Sequence, residues 1–451
     1  MLNAYAELTK SKTTKEDDAV LVKRAGTAQQ IASTGTGVVR GIHFWALYDK
    51  FYVCIGRDVY VYDASSWALS TTLTNVVNAG TAEVGFEEFL YSTNTVKLII
   101  TDGTTLSTID SANTVVPCAD ADMPVHQPYP VVIDGYLFVL KTGSADIYNS
   151  DNDDPLAWTA GNFITAEMRP DTAFRIASLN NYLICMGGSS IEYFYDAAEA
   201  TGSPLGRNDS AAKYIGYIGG FSKLGGKIFF VGETEQSSPN VFMLEDFKAT
   251  PLATEPVRRH LEAAGYVINY GAIVSFNGHD FYTLSTPLAT YAMNLGTGLW
   301  STWAYQDTSL FPIKFSIPKT SYLSAPYKNL FVTTLSNAVL YFDPSLGQDS
   351  ATNFACVFTT GNSYFDSMNR KSCNRLTVYA DMPVSSQVVY IQTSDDDYQT
   401  WSAGQLVELF QDMPCGYRWG TFRMRAHKIT YVGSLPLRIE KLELDLNLGN
   451  S

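Results

Sequence analysis

Leu183-Ile184-Cys185-Met186, a Gly187-Gly188 turn, and then Ile191-Glu192-Tyr193-Phe194-Tyr195 make up one unit of the pattern that decides the fold. A short apolar strand runs into a tight turn and returns as a second strand rich in tyrosine. The unit recurs seven times along the chain. Its period of roughly 40 to 50 residues is that of propeller blades. First strands begin near Tyr52, Lys97, Leu137, Leu183, Phe229, Phe281 and Leu330. Their partners are Val59-Tyr60-Val61-Tyr62-Asp63, Thr105-Leu106-Ser107-Thr108-Ile109-Asp110, Asp146-Ile147-Tyr148, the Ile191 strand, Val241-Phe242-Met243-Leu244-Glu245, Tyr291-Ala292-Met293-Asn294 and Val339-Leu340-Tyr341-Phe342-Asp343.

Turn residues precede most first strands. Asp134-Gly135, Asn180-Asn181, Gly225-Gly226 and Asn277-Gly278 can supply the positive φ that tight hairpins need. The expectation is an all-β chain built on a β-propeller of six or seven blades, since one of the pairs could belong to a flanking domain. Consecutive unrelated hairpins in a sandwich are the competing reading. Closing the sheets into a ring also removes the exposed edges that a long β chain must otherwise protect.

Composition agrees with β structure. Aromatic residues make up 13% of the chain and charged residues only 17%. A chain of 451 residues exceeds one hydrophobic core, so two or three units are expected. The net charge of −14 argues against sequence-independent adhesion to nucleic acid, yet is compatible with a conduit whose walls repel phosphate. Cys54, Cys118, Cys185, Cys356, Cys373 and Cys415 are scattered, with no CxxC pair, and read as small buried thiols rather than zinc ligands or a disulfide framework. The opening Met1-Leu2-Asn3-Ala4-Tyr5 lacks the basic and apolar stretches of a signal peptide, and no apolar run is long enough to span a bilayer. A soluble chain with no membrane anchor, assembled in a reducing cytoplasm, is the expectation.

Three regions follow. Residues 1–40 read as an extended N-terminal arm, because Lys10, Lys12, Lys15, Glu16, Asp17 and Asp18 crowd together without a sustained apolar period. Residues 41–345 hold the propeller. One helix is expected over Pro256 to Ala264, with Thr254 as cap and Gly265 as stop. From 353 to 451 the strands lengthen and alternate, as in Phe422-Arg423-Met424-Arg425 and Leu442-Glu443-Leu444-Asp445-Leu446, which predicts a C-terminal β-sandwich-like domain. Its basic residues Arg370, Lys371, Arg375, Arg418, Arg423, Arg425 and Lys428 read as a solvated strand face.

No linear motif assigns a catalytic, cofactor-binding or metal-ligating residue, and no cofactor is expected. His43, His126, His260, His279 and His427 are isolated in sequence, and the pairs Gly187-Gly188 and Gly219-Gly220 lack a following Gly-Lys-Ser/Thr. The clusters Asp151-Asn152-Asp153-Asp154 and Asp395-Asp396-Asp397 lack the spaced ligands and glycine of a calcium loop, and read as solvated turns. Two fragments resemble sialidase propellers. Phe174-Arg175-Ile176-Ala177 is similar to that family's Phe-Arg-Ile-Pro element, whose arginine grips a carboxylate. The stretch from Ser394 to Trp401 is similar to its Asp-box, with Tyr398 in place of glycine. A sialidase-like or glycan-binding propeller is therefore the alternative function.

Several blocks in common order resemble the tail hub, or nozzle, of short-tailed phages, the packaged-DNA stabilisation protein family. Leu2-Asn3-Ala4-Tyr5-Ala6-Glu7 and then Leu21-Val22-Lys23-Arg24-Ala25-Gly26-Thr27 open the match, with Ala25 replacing the family's proline. Ala166-Glu167-Met168-Arg169-Pro170-Asp171 and Gly188-Ser189-Ser190-Ile191-Glu192-Tyr193-Phe194 follow, then Val241-Phe242, Pro251-Leu252-Ala253-Thr254, Asp280-Phe281-Tyr282, Thr393-Ser394-Asp395 and Trp419-Gly420. The resemblance implies a non-enzymatic structural protein of the virion tail. It also implies a homohexamer below the portal and its head-to-tail adaptor, a tail needle or tip as plug, and tailspikes or fibres at the side. Double-stranded DNA would pass through the channel without sequence-specific binding.

Overall fold

The structure, a computed structural model, describes residues 1–9, 18–32, 37–199, 201–319 and 328–449. Among these residues, six antiparallel sheets of four strands follow one another along the chain, starting at Val39–Trp45, Gly85–Leu90, Val131–Ile133, Ala173–Leu179, Gly216–Leu224 and Tyr270–Phe276. A seventh is built from Ile313–Lys319, Lys328–Thr333 and Val339–Asp343, and its fourth strand is Gly26–Ile31 from the start of the chain. At least one first strand takes part in the contact between each sheet and the next, and the seventh sheet touches the first, so the array is a closed seven-bladed propeller. The last blade is completed by a strand more than 300 residues distant in sequence, which ties the ring shut.

The strand pairs visible in the sequence are the two middle strands of each blade. They sit between neighbours on both faces, so alternate side chains serve alternate interfaces. In Lys227–Thr234, Ile228 and Phe230 pack with Ile184 and Met186 of the fourth blade, while Phe229 and Val231 pack with Tyr282 and Leu284 of the sixth. Burial on both faces makes such strands apolar throughout. Each fully buried residue of this kind contributes about 1.5–3 kcal/mol. An apolar cluster of this sort lies at every one of the seven blade-to-blade interfaces.

Short turns fix the registers. Asp134 and Gly135 have φ of 48° and 84°, and Asn277 and Gly278 have 53° and 74°, the paired positive values of a type I′ hairpin. In Asn180-Asn181 and Gly225-Gly226 only the first residue is left-handed. Between the fifth and sixth blades the backbones nearly touch, since a Cβ on Gly271 would lie 2.1 Å from the Gly220 carbonyl oxygen. The expected helix is present over Glu255–Ala263, after Thr254 and before Gly265. It buries Val257 and Leu261 against the fifth and sixth blades.

Beyond the propeller, Cys356–Thr359, Ala426–Tyr431, Val388–Ser394 and Gln405–Glu408 form one sheet. A second contains Lys371–Ala380, Arg438–Leu448, Cys415–Tyr417 and Thr421–Phe422. They enclose a common core of Phe358, Leu376, Val378, Ile391, Val407, Ile429 and Ile439.

The N-terminus corrects the expectation of an extended arm over residues 1–40. Ala4–Thr9 and Asp18–Lys23 pair as a hairpin and extend the second C-terminal sheet through Leu21 and Ile439, after which Gly26–Ile31 enters the seventh blade. The charged run from Lys10 to Asp17 lies outside the described residues. Its polarity masked two short strands that pair with each other, the second of which also pairs with a strand about 400 residues away in sequence.

Burial in this segment is deep. Arg24 is 1% exposed and forks onto Asp349 with NH1 and NH2 at 2.9 and 2.5 Å. It also donates to Asn3 Oδ1 at 3.0 Å and to the Ala304 carbonyl at 2.7 Å, and lies 3.8 Å over the Phe354 ring. Lys23 Nζ donates to the carbonyls of Gly347 and Gly433, both at 2.7 Å. Asn3 Nδ2 donates to Ala355, Tyr5 meets the Phe276 and Phe281 rings edge-on, and Glu7 pairs with His279 at 3.0 Å. The segment from 1 to 31 thus joins both sets of sheets.

Candidate functional site

The inner strands of all seven blades surround a cavity of about 690 Å³ on the ring axis. Five ionisable side chains beyond tyrosine line it: Glu83, Glu87, Arg175, Lys223 and Lys314. Glu87, Arg175, Lys223 and Lys314 come from the inner strands of the second, fourth, fifth and seventh blades, because the middle strands are occupied by packing, and Glu83 from the loop just before the second blade. Tyr129, Tyr217, Tyr270, Phe221 and Phe315 supply aromatic wall.

Arg175 is held between two rings, its guanidinium carbon 3.6 Å from the centre of Tyr129 and 3.7 Å from that of Phe221. Tyr129 donates its hydroxyl to Glu83 Oε2 at 3.1 Å. Lys314 Nζ donates to the Val39 carbonyl at 3.2 Å, and Lys223 Nζ to Ser178 Oγ at 2.9 Å. Enclosure by protein pushes the Glu87 carboxyl up to about 7, partly offset by Lys223 across the lumen. The same enclosure lowers the Lys223 and Lys314 ammonium groups and raises the Tyr129, Tyr217 and Tyr270 hydroxyls.

The fragment Phe174-Arg175-Ile176-Ala177 therefore opens onto the axis through Arg175, while Phe174 is exposed. No second arginine lines the cavity among the described residues. The Asp-box-like stretch is remote from it, in the C-terminal sheets. There Asp396 accepts from Ser394 Oγ, Thr400 N and Thr400 Oγ1, which holds its carboxyl down at about 2. Asp395 forks onto Arg425 at 2.6 and 2.7 Å. Those carboxylates build a hairpin turn.

At the other acidic cluster Asp153 caps Ser92, and Asp151 accepts from Thr159 and Asn162. The histidines do not converge: His43 meets Glu88, His126 spans Thr101 and Pro124, His260 meets Thr286, His279 meets Glu7, and His427 is buried near Arg425. The cysteines are free thiols. Among the C-terminal basic residues, Lys371 is buried against three carbonyls, Arg425 is spent on Asp395, and Lys428 stacks on Trp401, so they form no common face. Among the described residues no three metal-ligating side chains gather, and no helix is long and apolar enough to cross a membrane.

Sequence reasoning named Arg175 but missed Glu83, Glu87, Lys223 and Lys314. Their one linear trace is charge within short inner strands, such as Lys223 just before Gly225-Gly226. Nothing in their spacing says that they face one axis.

The block quoted around Ile191 gains a structural role. Glu192, 1% exposed, accepts from Met168 N at 2.9 Å, and Asp171 accepts from Ser189 N and Oγ at 2.5 and 2.8 Å. Two segments about 20 residues apart clasp each other with carboxylates, joining the fourth blade to the loop that leads into it.

A closed seven-bladed ring with a charged axial cavity defines the chain as a β-propeller protein. The model of the phage-stabilisation family, described as "Bacteriophage P22 Gp10, beta-propeller", matches residues 8–309, and the chain belongs to this family of phage tail proteins. No curated protein matches the sequence. Among solved structures, the chain is similar to virginiamycin B lyase from Staphylococcus aureus at 8% identity, covering 70% of this chain and 98% of that one, with a TM-score of 0.46. It is also similar to a streptogramin B lyase at 10% identity, covering 71% and 98%, TM-score 0.46. The N-terminal domain of Nup159 matches at 11% identity, covering 76% and 99%, TM-score 0.39.

Proposed function

We propose that the chain is a non-enzymatic building block of a short phage tail, six copies forming the nozzle below the portal and its adaptor, and that this ring retains packaged DNA until ejection. Membership of the phage-stabilisation family over residues 8–309 carries the reading. The physical chemistry supports it. A propeller closed by its own N-terminal strand is stiff, and a heterologous contact repeated between stiff modules makes a ring where its rotation closes. We take the propeller, residues 41–345, and the C-terminal sheets, from 353 onward, as its two modules, with the N-terminal 31 residues as the tie between them.

The axial cavity of one propeller is not the DNA path. At about 690 Å³ it has the volume of a small-molecule site. A duplex whose major groove alone is about 12 Å wide does not pass. DNA would instead run between copies, where a net charge of −14 per chain repels phosphate and limits adhesion. A needle or tip would plug this passage, and tailspikes or fibres would sit at its side.

Depleting the protein during infection tests the role. Heads should fill and then lose their DNA, and cryo-electron microscopy of complete virions should place the protein as a ring on the tail. Heads that keep their DNA without it, or virions in which it is absent from the tail, would overturn the proposal.

A further inference from the structure

The third blade carries an open groove of about 500 Å³ that shares no lining residue with the axial cavity. Ala121 to Val125, in the connection from the second blade, line it together with Ala160 of the outermost strand, and Tyr148, Lys141 and Thr142 complete the lining. That outermost strand differs from its counterparts. Asp154–Thr165 has 12 residues, where the outermost strands of the other blades have 3 to 6. Its register jumps from Trp158, opposite Ser150, to Phe163, opposite Tyr148, so Thr159 to Asn162 have no partner in the ladder. Asp151 accepts from Thr159 Oγ1 at 3.1 Å and from Asn162 Nδ2 at 3.3 Å, which props this bulge beside the groove. Asp120 holds the facing segment by accepting from Trp158 N and from Asp122 N, both at 2.9 Å. Apolar surface is left open here: Val125 is 58% exposed, and Phe163, stacked on Tyr148 at 5.0 Å, is 40% exposed. Among the described residues, the Met123 and Val125 N–H groups donate to no backbone carbonyl. Charge is one-sided as well. From residue 98 to 168 the chain has ten carboxylates and a single Lys or Arg, Lys141, whose Nζ lies 3.9 Å from Asp146.

We propose that this groove is a docking site for an extended segment of a partner protein, one in which apolar side chains are flanked by lysine or arginine. A segment laid along Ala121 to Val125 gains the two open N–H groups as donors to its carbonyls, in the manner of an added strand. Its apolar side chains cover Met123, Val125, Tyr148 and Ala160, and its cations meet Asp120, Asp122 and Asp151. Complementary charge of this kind steers the encounter and selects the partner. Duplex DNA is repelled by the same carboxylates. The site stands whether or not the chain builds the nozzle, since only the groove and its charge carry it.

Fluorescence anisotropy of labelled peptides with the purified full chain tests the assignment. The probes are Lys-Lys-Val-Leu-Val-Lys-Lys, the same peptide with Glu for every Lys, and the same peptide with Ser for every apolar residue. The first should saturate a single site at least about tenfold more tightly than either control. Its affinity should fall severalfold between about 0.05 M and about 0.5 M salt. Ala160→Trp, which fills the groove from an exposed position, should weaken binding about tenfold, and Asp122→Lys, also at an exposed position, severalfold. On binding, the amides of residues 121–125 and 159–162 should gain protection from hydrogen exchange. Absence of saturable binding, equal binding of either control, affinity unchanged in both variants, or protection confined to other residues would overturn the proposal. Self-association of the chain that Ala160→Trp abolishes would overturn it too, because the occupant would then be a second copy.

Discussion

Replacing Arg24 by methionine should loosen the tie between the ring-closing strand and the C-terminal sheets. Methionine keeps an unbranched stem over Phe354 but removes the two bonds to Asp349, the bond to Ala304 and the bond to Asn3. Asp349, 0% exposed, is left with the Gln306 backbone N–H at 3.1 Å as its remaining charge-stabilising donor. Removing one member of a buried pair costs about 3–5 kcal/mol, mostly through the stranded partner. With a urea dependence near 3 kcal/mol per molar, at the upper end for small proteins, the midpoint followed by tryptophan fluorescence should fall by about 1–1.7 M. The double variant Arg24→Met/Asp349→Leu should recover most of that loss, because an apolar replacement strands no charge. Hydrogen exchange should show residues 26–31 losing protection before the middle strand at 182–187. A midpoint shift below about 0.3 M, or a double variant no better than the single one, would refute the lock.

Gly271→Ala should destabilise the ring by about 1–3 kcal/mol or more, since its Cβ would meet the Gly220 carbonyl at 2.1 Å. Gly161→Ala, with open space around the new methyl, should leave the urea midpoint unchanged. Stability should decline above about pH 9. Burial pushes the Cys54 and Cys356 thiols up to about 12, so the native state keeps protons that the unfolded chain has released, at about 1.4 kcal/mol per pH unit per thiol. Lys23, lowered to about 8 by burial, acts in the opposite sense, because between about pH 8 and 10.5 the unfolded chain holds the extra proton. The lowered Lys223, Lys314 and Lys328 act with Lys23, but the raised Cys185 and Cys373 thiols and the buried tyrosines act with Cys54 and Cys356, so urea midpoints should fall from pH 9 to 11, and Cys54→Ala/Cys356→Ala should lessen the slope without abolishing it. In native protein, iodoacetamide followed by mass spectrometry should modify Cys415 first and leave buried Cys54, Cys185, Cys356 and Cys373 unlabelled until denaturant is added.

The blade pattern was legible because the middle strands, such as Tyr182–Gly187 and Ile191–Asp196, are buried on both faces and must be apolar in any propeller. Their flanking strands were not. Val115–Pro117 is largely exposed and Leu205–Arg207 spans three residues, too short and too polar for a periodic signal. The two acidic clusters and the Asp-box-like turn read correctly as turns, because Asp and Ser cap nearby N–H groups wherever the chain bends.

By itself, then, the amino-acid order determined an all-β propeller and its phage family, since local period, turn chemistry and ordered motifs are properties of neighbours along the chain. Tertiary structure alone decided that Gly26–Ile31 completes the seventh blade, that Arg24 lies buried on Asp349, and that Glu83, Arg175, Lys223 and Lys314 share one lumen. Those relations depend on ring closure, which brings together residues up to several hundred positions apart and leaves no periodic trace in the chain.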